Sequence, residues 1–242
     1  MFKKKNPLTF HQEPTHYNGQ RLRDFVFGFS DGMVTTLAII SALSAAAVGN
    51  TLIIFAGIAN VIADAISMAL GGYISSKSQI EVYKNAERKE KMEMEEVPDI
   101  EREEIREIYR QKGFSGKLLE DVVKKITSNK KVWLEVMMHD ELGLSRDVLN
   151  EKPNIVGLTI FAGFVIAGFV PVIPYLFLPV TEAFQVAVPL AFISLFVMGS
   201  LRSIFTGRSW LKSGLEVLAI GLLATAAAYF VGSLVPQMQS TI

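Results

Sequence analysis

From Thr51 to Val97 the sequence runs without a proline, and its character changes half-way. Residues 51–74 are almost wholly apolar, long enough to span a bilayer as a helix. From Lys77 onward the chain is dense with charge and belongs in water. The stretch Ala63-Asp64-Ala65-Ile66-Ser67-Met68-Ala69-Leu70-Gly71-Gly72-Tyr73-Ile74-Ser75-Ser76-Lys77-Ser78-Gln79 carries the transition. It predicts one continuous helix that leaves a membrane and enters water. Asp64 and Met68 stand at i and i+4, which stack on one helix face. A carboxylate and a thioether are unusual neighbours in lipid, and their pairing suits the passage of a transition metal.

Five apolar runs meet the length of a spanning helix: about 24–48, 51–74, 155–178, 182–201 and 214–235. Gly49-Asn50 makes a tight turn between the first two. Pro171 and Pro174 are expected to kink or end the third, and Pro179-Val180-Thr181 turns into the fourth. A soluble domain rarely supplies five such runs. The expected fold is an all-α membrane protein of five transmembrane helices, with a helical cytosolic domain inserted between the second and third spans. The expected divisions are a cytosolic segment 1–23, a transmembrane hairpin 24–74, an acidic helical domain 75–153, and spans three to five over 154–242. Residues 1–20 hold Lys3, Lys4 and Lys5 with no apolar stretch behind them, so no signal peptide is expected.

The basic residues set the expected orientation. Segments 1–23, 75–153 and 202–213 hold 5, 16 and 3 Lys+Arg, which is the full count of 24. The intervening turns 49–50 and 179–181 and the tail from Pro236 hold none. The N-terminus and residues 75–153 are therefore expected in the cytosol, and the C-terminus outside. The formal net charge of zero gives no footprint for nucleic acid. The absence of cysteine excludes disulfides, thiolate metal sites and cysteine nucleophiles.

Two polar stripes lie inside the first two spans. Asp24, Gly28, Asp31 and Thr35 recur at i, i+4, i+7 and i+11; Asn60, Asp64 and Met68 recur at i, i+4 and i+8. Asp24 is close enough to the span end to reach the interface. Asp31 lies about 12 Å of helix rise beyond Arg23. An ionised carboxylate there costs about 2.5–3.5 kcal/mol on insertion scales, so it should face a cavity or a partner. Met68 sits about 6–9 Å from the cytosolic end of its span, a depth similar to that of Asp31. No Lys or Arg lies in either span. The natural partner of these carboxylates is a cation or a proton.

Residues 75–153 hold 16 Lys+Arg and 18 Asp+Glu. The second span is expected to extend as a helix to about Glu96. Pro98 suits the first turn of a second helix running to about Lys112. A third begins near Gly116, and a fourth covers about Lys131 to Leu142, with Gly143 as its C-cap. Eleven acidic residues fall within 81–107. Glu90/Glu93 and Glu101/Glu104 are i, i+3 pairs on the helices flanking Pro98. Many of these acids suit i, i+4 ion pairs such as Glu87–Lys91. Two matching pairs of like charge nonetheless favour cation binding. Met137 and Met138 on the last helix add soft thioethers beside the carboxylate of Glu141, a mixture that favours a transition metal over Mg²⁺ or Ca²⁺.

These residues together resemble the vacuolar iron transporter family: Asp31-Gly32, Ser67-Met68-Ala69, Tyr73-Ile74-Ser75 and Met137-Met138-x-x-Glu141. The resemblance covers nearly the whole chain from about Arg21. It implies a homodimer in lipid with five spans per subunit and a metal path between the subunits. It also implies proton-coupled export of Fe²⁺, and often Mn²⁺ or other divalent metals such as Zn²⁺ or Co²⁺, from the cytosol, with no cofactor. Asp31 and Met68 resemble the pore residues. Glu90, Glu93, Glu101, Glu104, Met137, Met138 and Glu141 resemble the ligands of a cytosolic metal-binding domain. A vacuole-like organelle and a prokaryotic plasma membrane both fit. The family commonly has Gly-Glu-Tyr where this chain has Gly71-Gly72-Tyr73. Two other classes are a membrane-anchored di-iron carboxylate enzyme and a metal sensor without transport. The first is disfavoured because no Glu-x-x-His occurs within 75–153, His139 following Glu135 by four.

Overall fold

A computed structural model describes residues 16–239 of the chain, without the side chains of residues 16–18, 205 and 237–239. The lysine-rich start at Lys3 to Lys5, and with it the reading that no signal peptide is present, lies outside the described residues. Among those residues every regular element is helical. In order they are α1 (His16–Ala45), α2 (Asn50–Glu96), α3 (Pro98–Gln111), α4 (Gly116–Thr127), α5 (Lys130–Val136), α6 (Pro153–Phe169), α7 (Val180–Leu201), α8 (Ser203–Thr206) and α9 (Trp210–Gln239). A π-helical turn, Met137–Glu141, extends α5, and 3₁₀ turns cover Arg146–Asn150 and Ile173–Leu176. The chain forms two compact units: residues up to Tyr73 with those from Asn154, and Ile74–Pro153. α2 supplies residues to both.

Four helices are long and apolar enough to cross a membrane: α1 from Gly19, α2, α7 and α9. The third expected span is not one helix. α6 stops at Phe169 after 17 residues. Pro171 has no N–H to offer the preceding turn, and its ring crowds the carbonyl four residues back. Tighter bonds from Val170 N to Ala167 O and from Val172 N to Phe169 O replace the α-helical pattern, each 3.1 Å. The apolar run then continues through the 3₁₀ turn.

Glycine lets the helices of the first unit meet backbone to backbone, the packing that substitutes for a hydrophobic driving force in lipid. A Cβ on Gly28 of α1 would stand 2.3 Å from the Ile160 carbonyl oxygen of α6. On α6 itself, one on Gly163 would meet the Phe25 carbonyl oxygen at 2.4 Å, and one on Gly157 that of Ala69 at 2.6 Å. α6 is thereby clamped against both α1 and α2. Phe29, Met33, Leu37, Ala167, Ala191, Leu195 and Val217 form the inner core of this unit. Ile40, Ile53, Val172, Tyr175, Ala183 and Ala187 form a second core near the α1–α2 turn.

The charged unit has its own core of Met94, Ile105, Leu119, Val123, Ile126, Trp133 and Met137. Pro98 opens α3 at its first turn. Asn129 caps α5 by accepting from the backbone N–H of Lys131 and Val132 at 3.0 and 3.3 Å. The fourth helix expected over 131–142 instead changes type at Met137. Leu142 N reaches Met137 O at 3.2 Å and Leu144 N reaches Met138 O at 2.8 Å, so this turn is widened. Gly143, at φ +65°, releases the chain from it.

Candidate metal centre

α3 carries its acids on two faces, and the structure sorts them by partner. On the outer face, Arg106 holds Glu120 at 2.9 Å and also pairs with Glu103, while Arg110 pairs with Glu107. Asp99 pairs with Arg102 at 2.7 Å. On α2, Glu87 pairs with Lys91 at 3.0 Å and Glu95 with Lys130 at 3.1 Å. These are solvated surface pairs, worth about 0–1 kcal/mol each. On the inner face Glu101 lies one turn from the fully buried Ile105 and is only 4% exposed. Glu90 of α2 is 3% exposed. Among the described residues Glu90, Glu101, Glu104 and Glu141 form no ion pair, and Glu93 has Lys89 at 3.2 Å.

These five carboxylates act on one another. Burial pushes the Glu101 carboxyl up to about 7, helped by the negative charges of Glu104, Glu90, Glu141 and Glu93. Partial burial, then Glu104, Glu90 and Glu93, pushes Glu141 up to about 7 as well, against the pull of Lys89. Glu90 is raised by burial and by Glu93 and Glu104, with Lys89 opposing. Buried like charges that lack a counter-charge shift in this direction. The Glu101 Oε2 atom is buried with no hydrogen-bond partner. A buried carboxylate oxygen left bare costs free energy, and an ion or a proton removes that cost.

Among the described residues no three Asp, Glu or His side chains already stand gathered around a point that could hold an ion. The carboxylates are in electrostatic reach of one another but not at ligand spacing. Met137 is fully buried in the core of the unit, and Met138 is 2% exposed on the same π turn. The widened turn, a feature common at functional sites, sends Glu141 toward the α2–α3 acids. His139 faces solvent and pairs with Asp140 at 2.9 Å.

In the first unit, Asp31 on α1 and Met68 on α2 are both half-buried. Asp64 is the charged group that acts on Asp31. Asn60 of the α2 stripe donates from Nδ2 to Thr36 Oγ1 of α1 at 3.4 Å, one residue beyond Thr35 of the α1 stripe. Gly72, where a glutamate was expected from the resemblance, packs beneath α6. A Cβ there would lie 2.4 Å from Ile160 Cδ1, so Ile160 fills the place of a longer side chain. On the outward face of α2 a stripe of small residues, Ala59, Ala63, Ser67 and Gly71, is exposed. Its four-residue spacing was visible in the sequence, but the stripe escapes a reading that looks only for polar groups.

The model of the VIT family matches residues 22–233, which is most of the chain. The chain belongs to the VIT family. It is 37% identical over 228 residues to the vacuolar iron transporter of Centaurea cyanus, covering 92% of this chain and 91% of that one. It is 35% identical over 238 residues to vacuolar iron transporter 1 of Arabidopsis thaliana, covering 96% and 93%. The vacuolar iron transporter of Plasmodium falciparum (isolate 3D7) is 30% identical over 236 residues, covering 93% and 86%. VIT family membership thus agrees with the resemblance carried by Asp31-Gly32, Ser67-Met68-Ala69 and the Met137–Glu141 turn.

Proposed function

We propose that this chain carries a divalent metal, Fe²⁺ first and Mn²⁺ second, out of the cytosol in exchange for protons. Its relatives are transporters by name, and the chain is not an enzyme. One observation supports capture by the charged unit above the others. Glu101 buries a bare carboxylate oxygen beside Glu90, Glu104 and Glu141, none of which forms an ion pair among the described residues. Such a site binds a cation in order to be neutral. Met138, and Met137 if it turns out of the core, supply the soft donors that favour Fe²⁺ over Ca²⁺.

From there the ion passes to Met68 and Asp31. Neutralisation of Asp31 by metal or proton in turn makes the exchange: a proton arriving from the far side displaces the ion. Asp64 adds a second carboxylate on the α2 stripe, two turns deeper than Gly72, where the family's glutamate is absent. The working unit is a homodimer joined along Ala59, Ala63, Ser67 and Gly71, whose small side chains allow close helix approach. That places the metal path between the subunits. The apolar stretch from Pro153 to Leu178 makes the fifth crossing, as α6 plus its 3₁₀ extension, which puts residues 74–153 and the N-terminus in the cytosol. The host membrane is that of an iron-storing organelle, or the plasma membrane in a prokaryote. Reconstitution in liposomes tests this reading: Fe²⁺ uptake that collapses when the pH gradient is dissipated supports it, and uptake indifferent to the gradient removes the exchange step.

A further inference from the structure

The charged unit holds a cavity of about 380 Å³, at the small end of the range of ligand sites. Tyr83, Met94, Leu134 and Met138 give it an apolar floor, and charged side chains make its rim. Two of the rim cations are already committed, Lys91 to Glu87 and Lys130 to Glu95. Two others, Lys131 and Arg146, line the same space and form no ion pair among the described residues. They stand apart in sequence, on α5 and on the following 3₁₀ turn, so the fold and not local spacing brings them to one cavity. Arg146 and Glu135 line the cavity together with Tyr83, and both act electrostatically on its hydroxyl.

An arginine presents two parallel N–H donors, the geometry that grips a carboxylate. Glu135, also on the rim, repels a simple anion. It accepts, however, from a ligand that carries an O–H beside its carboxylates. We propose that this cavity binds a small hydroxycarboxylate anion, with carboxylates on Arg146 and Lys131 and its hydroxyl donating to Glu135. Its floor shares Met138 with the carboxylate cluster, but the cavity stands whether or not that cluster takes a metal.

Calorimetric titration of the purified, metal-free full-length protein in detergent tests it, with citrate as the probe. Tricarballylate, the same molecule without the hydroxyl, and inorganic phosphate are the comparisons. Citrate is expected to bind saturably at one site per chain. Tricarballylate is expected to bind at least about tenfold more weakly, the loss of one hydrogen bond to a charged group, and phosphate is expected to bind more weakly than citrate because it offers no separate carboxylates to Arg146 and Lys131. Arg146→Gln should weaken citrate by about tenfold or more. Both cations are exposed, so the fold should persist, and Lys131→Gln provides a second variant with the same expectation. Absence of saturable citrate binding overturns the site. Equal binding of tricarballylate or phosphate overturns the ligand class. Unchanged citrate affinity in both variants overturns the assignment of the cations.

Discussion

Glu101→Gln is the substitution on which the charged unit turns. The glutamate is 4% exposed, and one of its oxygens has no partner. Its carboxyl rises from 4.5 to about 7 on folding. A carboxyl raised in the folded state holds its proton after the unfolded chain has lost it. Stability therefore falls as pH climbs from about 4.5 to about 7 and stays low above that. The shift corresponds to a cost on the order of 3 kcal/mol once the group is ionised, at about 1.4 kcal/mol per pKa unit. Glutamine keeps the shape and removes the charge. In metal-free protein, Glu101→Gln should thus stabilise the charged unit at pH 8 and change little at pH 4.5, where the native carboxyl is neutral. With Mn²⁺ present the order should reverse, because the wild type gains a ligand charge that the variant lacks. Thermal unfolding of the full-length protein at both pH values, with and without Mn²⁺, reads all four states. A variant less stable than wild type at pH 8 without metal, or one stabilised equally by Mn²⁺, refutes the reasoning.

Metal held by Glu101 and Glu141 should be released as pH falls through about 7, since protons then compete for both carboxylates; a Mn²⁺ affinity that is flat between pH 8 and pH 5.5 contradicts this. Gly72→Glu puts a Cβ 2.4 Å from Ile160 Cδ1, a side-chain end that must turn aside, so it should lower the melting temperature of the first unit modestly, and Ile160→Val in the same chain should recover part of that loss; equal melting of the single and double variants opposes that view. Ala63→Trp on the small-residue stripe should convert a dimer to monomers in detergent, as read by light scattering, whereas an unchanged mass moves the interface elsewhere. Arg106→Ala removes two surface pairs, to Glu120 and Glu103, and should cost no more than about 2 kcal/mol in thermal unfolding, with metal affinity intact.

Much of this was legible in the chain because lipid and water impose opposite compositions. The long α2 helix to Glu96, Pro98 at the head of α3 and the αL glycine at 143 all follow from local rules of propensity and capping, whereas the turn expected at Gly49-Asn50 falls earlier, with Ala47 at φ +57° and Asn50 already in α2. The pairing of Glu90/Glu93 with Glu101/Glu104 was readable from i, i+3 spacing. Which glutamates had arginine partners was not: Glu103 and Glu104 are adjacent, and only the helix's roll against Ile105 turns one to Arg106 and leaves the other unpaired. The widened turn at Met137 was also invisible, since nothing in the sequence distinguishes it from an α-helical end. The third apolar run was expected to kink or end at its prolines, and of the two α6 ends, at Phe169 just before Pro171. Gly72 stood out in the sequence only as a departure from the family's Gly-Glu-Tyr; that it packs against the Ile160 side chain is visible only in the fold.

The most direct measurement is Fe²⁺ uptake into liposomes that hold only the purified chain, with an imposed pH gradient, for the wild type and for Asp31→Asn. Rapid gradient-dependent uptake by the wild type and near-background flux in the variant is the expected result. Wild-type flux no greater than that of empty liposomes, or an Asp31→Asn chain as active as the wild type, contradicts it.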